Sequence, residues 1–215
     1  MKSKFGILLM LIGTVLIFGA LYLFMHNNQE DNEAKEHVQN LMPQIHQEIQ
    51  ELQQSSAADP SHSKPEIQEN IPVELLTPED VYMTEKIIDG YAYIGYLAIP
   101  ELDLELPIMS DWDIKLLRIS PCRYTGTVRG EDLVIMAHNY KSHFGRLSKL
   151  SMGAQIVFTD MDGTVWEYEV VAMDILPANA VEEMIAGEYD LTLFTCAPNR
   201  THRVTIRCDK TESNG

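Results

Sequence analysis

The chain has 215 residues, a formal net charge of −16 and three cysteines. That length holds one domain with appendages. The charge argues against nucleic acid as a partner, because phosphate contact needs clustered Lys and Arg, and three cysteines are too few for a disulfide framework.

The first element is Phe5 to Met25, FGILLMLIGTVLIFGALYLFM, which carries no charge. As a helix it spans roughly 31 Å, enough for a bilayer core of about 30 Å. A cleaved signal peptide has an apolar region of about 7–15 residues and a small-x-small site. This run is longer, and LYLFMHNN has no such site, so it reads as a retained membrane anchor. Lys2 and Lys4 precede it, and Glu30, Asp31 and Glu33 follow it. By the positive-inside rule the N-terminus is expected in the cytoplasm and the remainder outside the cell.

Residues 26–86 read as an acidic stalk and linker. Between 26 and 80 there are twelve Asp/Glu against two Lys. Val38, Leu41, Met42, Ile45, Ile49 and Leu52 recur at helical spacing, with Pro43 expected to kink or divide the helix. Such a stalk helix either lies on the domain, self-associates or stands as a solvated spacer; the spacer is the simplest expectation. From Ser55 to Asp80, four prolines among Ser, Glu and Asn predict a semi-extended linker.

Residues 87–215 have a β texture. YAYIGYLAI (91–99), LELPI (104–108), DLVIMA (132–137), AQIVFT (154–159), TVWEYEVVA (164–172), LTLFT and RVTIR are the predicted strands. Asp162-Gly163 predicts a hairpin turn. Short helices are expected at Asp111–Arg118 and Asn179–Ala186. The fold class is mainly β, a barrel or sandwich of seven or so strands with small helices.

The chemistry concentrates near the end, in DLTLFTCAPNRTHRVTIRCDK (190–210). Cys208 alternates with Ile206 and Val204, so it shares their core face. Cys122 could pair with it outside the cell, yet sequence cannot place the two close enough. Either way Cys196 is left over, at a strand end, and a leftover thiol on an exported protein is a candidate nucleophile. His138 stands at the mouth of a buried strand, where catalytic groups are often carried; His143 and His202 are its alternatives. If the Cys196–Arg203 link is a hairpin, Arg203 lies beside the thiol and can bind an oxyanion. Arg207 shares that face but sits roughly 13 Å along the strand, at about 3.3 Å per residue. A zinc site from Cys196, His202 and Cys208 fails on spacing and on strand alternation.

These residues resemble the sortases, membrane-anchored cysteine transpeptidases of Gram-positive bacteria. LTLFTC followed by THRVTIR is similar to the family's Thr-Leu-x-Thr-Cys and downstream Arg signature. YIGYLAIPELDLELPIM (93–109) resembles its opening strands, and VIMAHNYKSHFGRLSKLSMGAQIVFTDMDGTVWEYEV (134–170) the segment with its histidine. The likeness runs from about Tyr91 to Asp209. It implies a closed β-barrel of about seven to eight strands. It also implies His138 as general acid/base, Cys196 as nucleophile, Arg203 as oxyanion stabiliser and Thr195 as a substrate contact. The substrates would be a sorting-signal peptide of an exported protein and an amine acceptor, from a cell-wall precursor or a lysine; neither metal nor cofactor is required. Ala137 stands where many sortases have glycine, and the Cys196–Arg203 link is short for the family. The missing Asp-Pro-aromatic lid motif and the chain end soon after Cys208 point away from the pilus-building class. The HNY…HFGRL segment and the helical insert look most like class B. A hydrolytic cysteine peptidase and a non-enzymatic surface domain are the rival readings.

Overall fold

The computed structural model describes residues 2–58 and 82–211, with side chains described at 6–54 and 82–211. Nine strands form one sheet. They are β1 (Lys86–Ile88), β2 (Tyr91–Ile99), β3 (Leu104–Met109), β4 (Cys122–Thr125), β5 (Leu133–Ala137), β6 (Gln155–Asp160), β7 (Val165–Pro177), β8 (Leu191–Cys196) and β9 (His202–Lys210). Their order is β1-β2-β3-β4-β5-β8-β9-β7-β6, and β6 also pairs with β2. That last pairing closes β2 to β9 into an eight-stranded barrel and leaves β1 as a short outer hairpin arm. Closure removes the free sheet edges that an open β-structure would expose.

Strand alternation fills the barrel. Leu97 and Ile99, Leu106 and Ile108, Leu133 and Ile135, Ile156 and Phe158, Tyr168 and Val170, Leu191 and Leu193, and Ile206 and Cys208 belong to one buried cluster. Each pair is spaced by two, so all point inward while their neighbours point out. The predicted strands all form, and β7 runs on to Pro177 because it pairs with β9 as far as His202. Two strands had no matching expectation. β1 is a three-residue arm closed by Asp89-Gly90, both at positive φ. β4 is held between β3 and β5 and has little apolar alternation of its own. The helix expected over Asp111–Arg118 is only a 3-10 turn at Leu116–Arg118. The later helix is shorter than expected, α2 at Val181–Ile185.

The stalk is the largest correction. One helix, α1, runs from Lys2 to Ala58 without dividing at Pro43. Its backbone therefore enters the stretch read as linker, while residues 59–81 of that linker lie outside the described residues. Pro43 is on the exposed side, where water can take the carbonyl left without a donor. The opposite side is pinned. Val38 and Met42 join the barrel's main cluster, and Leu41, Ile45 and Ile49 pack with Ile88, Tyr93, Met109 and Cys122. This half of the helix is thus no solvated spacer: its apolar stripe covers the outer face of β3 and its neighbours. His46 Nε2 to Glu105 Oε1 at 3.1 Å and Gln53 Nε2 to the Gly163 carbonyl at 3.3 Å extend the contact. The first half remains bare, with Leu8, Leu16, Phe18, Leu23 and Phe24 more than half exposed. It is the one helix among the described residues long and apolar enough to cross a membrane.

Candidate active site

β8 lies between β5 and β9. It is parallel to β5, with Val134 opposite Thr192, Met136 opposite Phe194 and Ala137 opposite Thr195. It is antiparallel to β9, with Thr192 opposite Arg207, Phe194 opposite Thr205 and Cys196 opposite Arg203. Three rungs therefore cross the outer face of the barrel. The lowest is Val134–Thr192–Arg207 and the middle one is Met136–Phe194–Thr205. The top rung pairs Cys196 with Arg203, and His138 is the residue that follows the end of β5 on the other side of β8. Neighbouring strands lie about 4.8 Å apart, so Cys196 ends β8 beside Arg203 of β9, with the end of β5 that leads into His138 on its other side.

Each group is fixed differently. Thr195, the buried neighbour of Cys196, points inward and its Oγ1 donates to the Ala137 carbonyl at 2.8 Å. That bond ties the ends of β5 and β8 together just below the rung. The hydroxyl proton of Thr195 is thereby committed to the main chain. Arg203 is half-buried, and its Nη1 donates to the carbonyls of His202 at 3.2 Å and Arg200 at 3.5 Å. The guanidinium is thus moored to the short link after Cys196, with its remaining donors unassigned by those bonds. The link itself is a tight turn: Ala197 N–H donates to the His202 carbonyl and Arg200 N–H to the Ala197 carbonyl, with Arg200 at φ +59°.

His138 opens a compact loop. Phe144 N–H donates to its carbonyl, and the N–H groups of His143 and Gly145 both donate to the Tyr140 carbonyl. Gly145 is required there, because a Cβ would come within 2.4 Å of the Asn139 carbonyl oxygen. The His138 ring lies 4.9 Å from that of Tyr140, and its Nε2 is buried without a hydrogen-bond partner. Burial lowers its proton affinity first, with Arg118 and Arg200 acting the same way and Glu30 opposing them. A small cavity of about 130 Å³ separates this loop from β8, lined by Asn139, Phe144, Gly145, Thr195, Cys196 and Val204.

The other candidates fall away. Arg207 is buried at the lowest rung, where it donates to the Met184 carbonyl and Thr192 Oγ1, both at 3.0 Å, to the Glu183 carbonyl, and faces Asp174. It clamps α2 onto the barrel wall. Arg207→Ala is expected to lower stability by about 2–4 kcal/mol in denaturant titrations, because it strips several buried acceptors of their donor. His202 is occupied by Thr201 Oγ1 and Asn199 in the link. Cys122 and Cys208 are free and buried. Their strands, β4 and β9, are three steps apart, roughly 14 Å at about 4.8 Å per step, so no disulfide joins them. Burial, then Asp113 and Asp111, pushes the Cys122 thiol up to about 12. Burial raises Cys208 as well. Neither is a thiolate near neutral pH. No metal-binding cluster of His, Cys, Asp or Glu occurs among the described residues.

His143, an alternative to His138 on sequence, is buried inside the loop. It is fully buried, with neither ring nitrogen hydrogen-bonded, and burial, with a smaller push from His138, lowers its proton affinity to about 4. Below the ordinary imidazole value near 6.5 the unfolded chain takes up a proton that the folded chain refuses. Stability is therefore full above about pH 6.5 and drains as pH falls toward 4, by about 3 kcal/mol from this residue. Melting curves across that range should show the loss, and His143→Phe should flatten it.

A thiol, an imidazole and a guanidinium in one row on a barrel rim can carry out cysteine-dependent acyl transfer. A family model of the sortase domain matches residues 97–211, more than half of the chain. The chain belongs to the sortase family. Its fold is similar to that of sortase C from Streptococcus pneumoniae (TM-score 0.54, 22% identity, covering 82% of this chain and 97% of that one). It is similar to sortase C from Clostridium perfringens SM101 (TM-score 0.51, 20% identity, 89% and 99% covered). It is also similar to sortase C1 from Streptococcus suis (TM-score 0.50, 26% identity, 56% and 73% covered). All three are named as sortase C enzymes. No curated protein matches the chain significantly. The protein is thus a sortase-type cysteine transpeptidase, one of the enzymes that attach or polymerise surface proteins, with an apolar N-terminal helix suited to single-pass anchoring.

Proposed function

We propose that Cys196 is the nucleophile, His138 the general acid/base and Arg203 the oxyanion stabiliser of this transpeptidase. The observation that supports the assignment is the strand pairing at this rim: Cys196 is opposite Arg203 across β8 and β9, and His138 follows Ala137, whose partner on β8 is Thr195. The Cys196 thiolate attacks the carbonyl of a sorting signal, and the sulfur–carbon bond forms as the carbonyl becomes an oxyanion. Arg203 holds that charge. The intermediate collapses, the peptide C–N bond breaks, and His138 gives its proton to the leaving amine. His138 then takes a proton from the incoming amine as it displaces the thiolate. Val134, Phe194 and Met184 of α2 form a closed apolar cluster below the row, with Met136 packed against it. Thr195 acts from below, by holding β5 and β8 in register.

The acceptor would be a cell-wall precursor amine or a lysine; the Streptococcus pneumoniae neighbour is concerned with pilin substrates, which favours keeping both. Orientation follows from Lys2 and Lys4 before the apolar run and Glu30, Asp31 and Glu33 after it: N-terminus in the cytoplasm, barrel outside. The test is to incubate the full chain with sorting-signal peptides and hydroxylamine. A thioacyl-enzyme mass and a hydroxamate product support transpeptidation; cleaved peptide without hydroxamate would mean a hydrolase, and no adduct with any peptide would overturn the reading.

A further inference from the structure

The acidic turn that follows the membrane segment does more than solvate the stalk. Glu30 and Asp31 lie on α1 only five or six residues past Met25, roughly 8 Å along the helix at about 1.5 Å per residue. Both touch the loop that carries His138. Asp31 Oδ1 accepts from Ser142 N–H at 2.9 Å and from Ser142 Oγ at 2.7 Å, and Ser142 Oγ also lies 3.1 Å from the Asp31 carbonyl. The Tyr140 hydroxyl donates to Glu30 Oε2 at 3.3 Å. The Tyr140 ring in turn packs on the His138 ring on one side and lies 5.6 Å from that of His143 on the other. Anchor helix, tyrosine and histidine thus form one continuous contact between the membrane surface and the site.

We infer that Glu30 and Asp31 are positioning residues for His138, so that the membrane-proximal turn of the anchor helix is a working part of the active site. The inference rests on the proposed role of His138. Asp31 pins the loop through Ser142 and so fixes the height of the imidazole relative to Cys196. Glu30 supplies a negative charge to a ring that burial and two arginines disfavour charging. Burial, Arg118 after β3 and Arg200 in the β8–β9 link all act against the imidazolium, and Glu30 acts for it. His143, Tyr140 and Asp31 are the other titratable groups packed here, and His26 shares Glu30 through its Oε1 at 3.9 Å. A histidine that must give a proton to a leaving amine benefits from a carboxylate that keeps the charged form populated.

The test uses the full chain in detergent micelles, with Glu30→Gln, Asp31→Ala and Asp31→Asn variants. Two signals are followed: the His138 ring titration by NMR, and the pH dependence of Cys196 acylation by a sorting-signal peptide. Glu30→Gln is expected to move the His138 midpoint to lower pH and to pull the alkaline limb of the acylation profile down with it. Asp31→Ala is expected to lower kcat roughly tenfold while KM changes less than about twofold. Asp31→Asn keeps an oxygen acceptor for Ser142 and should restore most of that loss. An unmoved His138 midpoint in Glu30→Gln, or wild-type kcat in Asp31→Ala, overturns the inference. The NMR arm needs no substrate, so a wild-type protein that never acylates counts against the catalytic assignment alone, and the His138 midpoint still decides the role of Glu30.

Discussion

Cys196→Ala is expected to form no thioacyl adduct with any sorting-signal peptide, with turnover falling about 10⁴-fold or more. The expectation is sharp because no other thiol can take over. Cys122 and Cys208 are fully buried, and burial holds both in the thiol form. Cys122 is walled off under α1 with Leu41, Ile45 and Ile49, and Cys208 faces the barrel interior. Only Cys196 is partly open to solvent, at the rim. Intact-mass spectrometry of wild type and variant with the same peptide reads the result directly. An adduct that persists in Cys196→Ala would move the nucleophile elsewhere and sink the proposed mechanism. The variant should fold normally, since the strand end loses one half-exposed side chain and keeps its pairing to Arg203.

Arg203→Ala carries the second large effect, a fall in kcat of about 10²–10³-fold with a much smaller change in KM. An oxyanion exists only in the transition state and the tetrahedral intermediate, so its loss registers in kcat. Arg203→Lys should recover little. A lysine cannot hold the two carbonyls of Arg200 and His202 while offering a flat row of donors across the rung. Arg207 is the built-in control. It lies on the same face two rungs away, but every contact it makes is to the body of the protein. Substitution there should cost stability rather than chemistry. Near-wild-type kcat in Arg203→Ala would assign the oxyanion to main-chain N–H groups instead.

Much of the site was legible because alternation and order along the chain are sequence properties. A period of two put Cys208 inward and Cys196 at an end, and the short link made Arg203 its partner across a hairpin. The parallel pairing of β5 with β8, which brings the strand end before His138 beside that of Cys196, was not legible. Periodicity reports faces, not neighbours. The sortase likeness supplied that step, and the register supplies its geometry. The hydrogen bond of the Thr195 hydroxyl to the Ala137 carbonyl, which ties β8 to β5, was likewise not legible.

Sequence by itself determined the local quantities: a 21-residue uncharged run long enough to cross a bilayer, the strand faces, the Asp162-Gly163 turn and the presence of a spare thiol. Only the tertiary structure decided what the stalk does. Val38, Leu41, Met42, Ile45 and Ile49 form a stripe of the kind that self-associating helices also carry. Whether such a stripe is buried depends on an apolar surface elsewhere in the chain, here the outer wall around Tyr93, Met109 and Cys122. Hydrophobic burial is set by the matching of two surfaces, and a sequence displays them one at a time. The same reason hid the acidic turn after the membrane segment. Read alone, Glu30 and Asp31 are solvating charges; docked, they reach Tyr140 and Ser142 and join the anchor to the histidine loop.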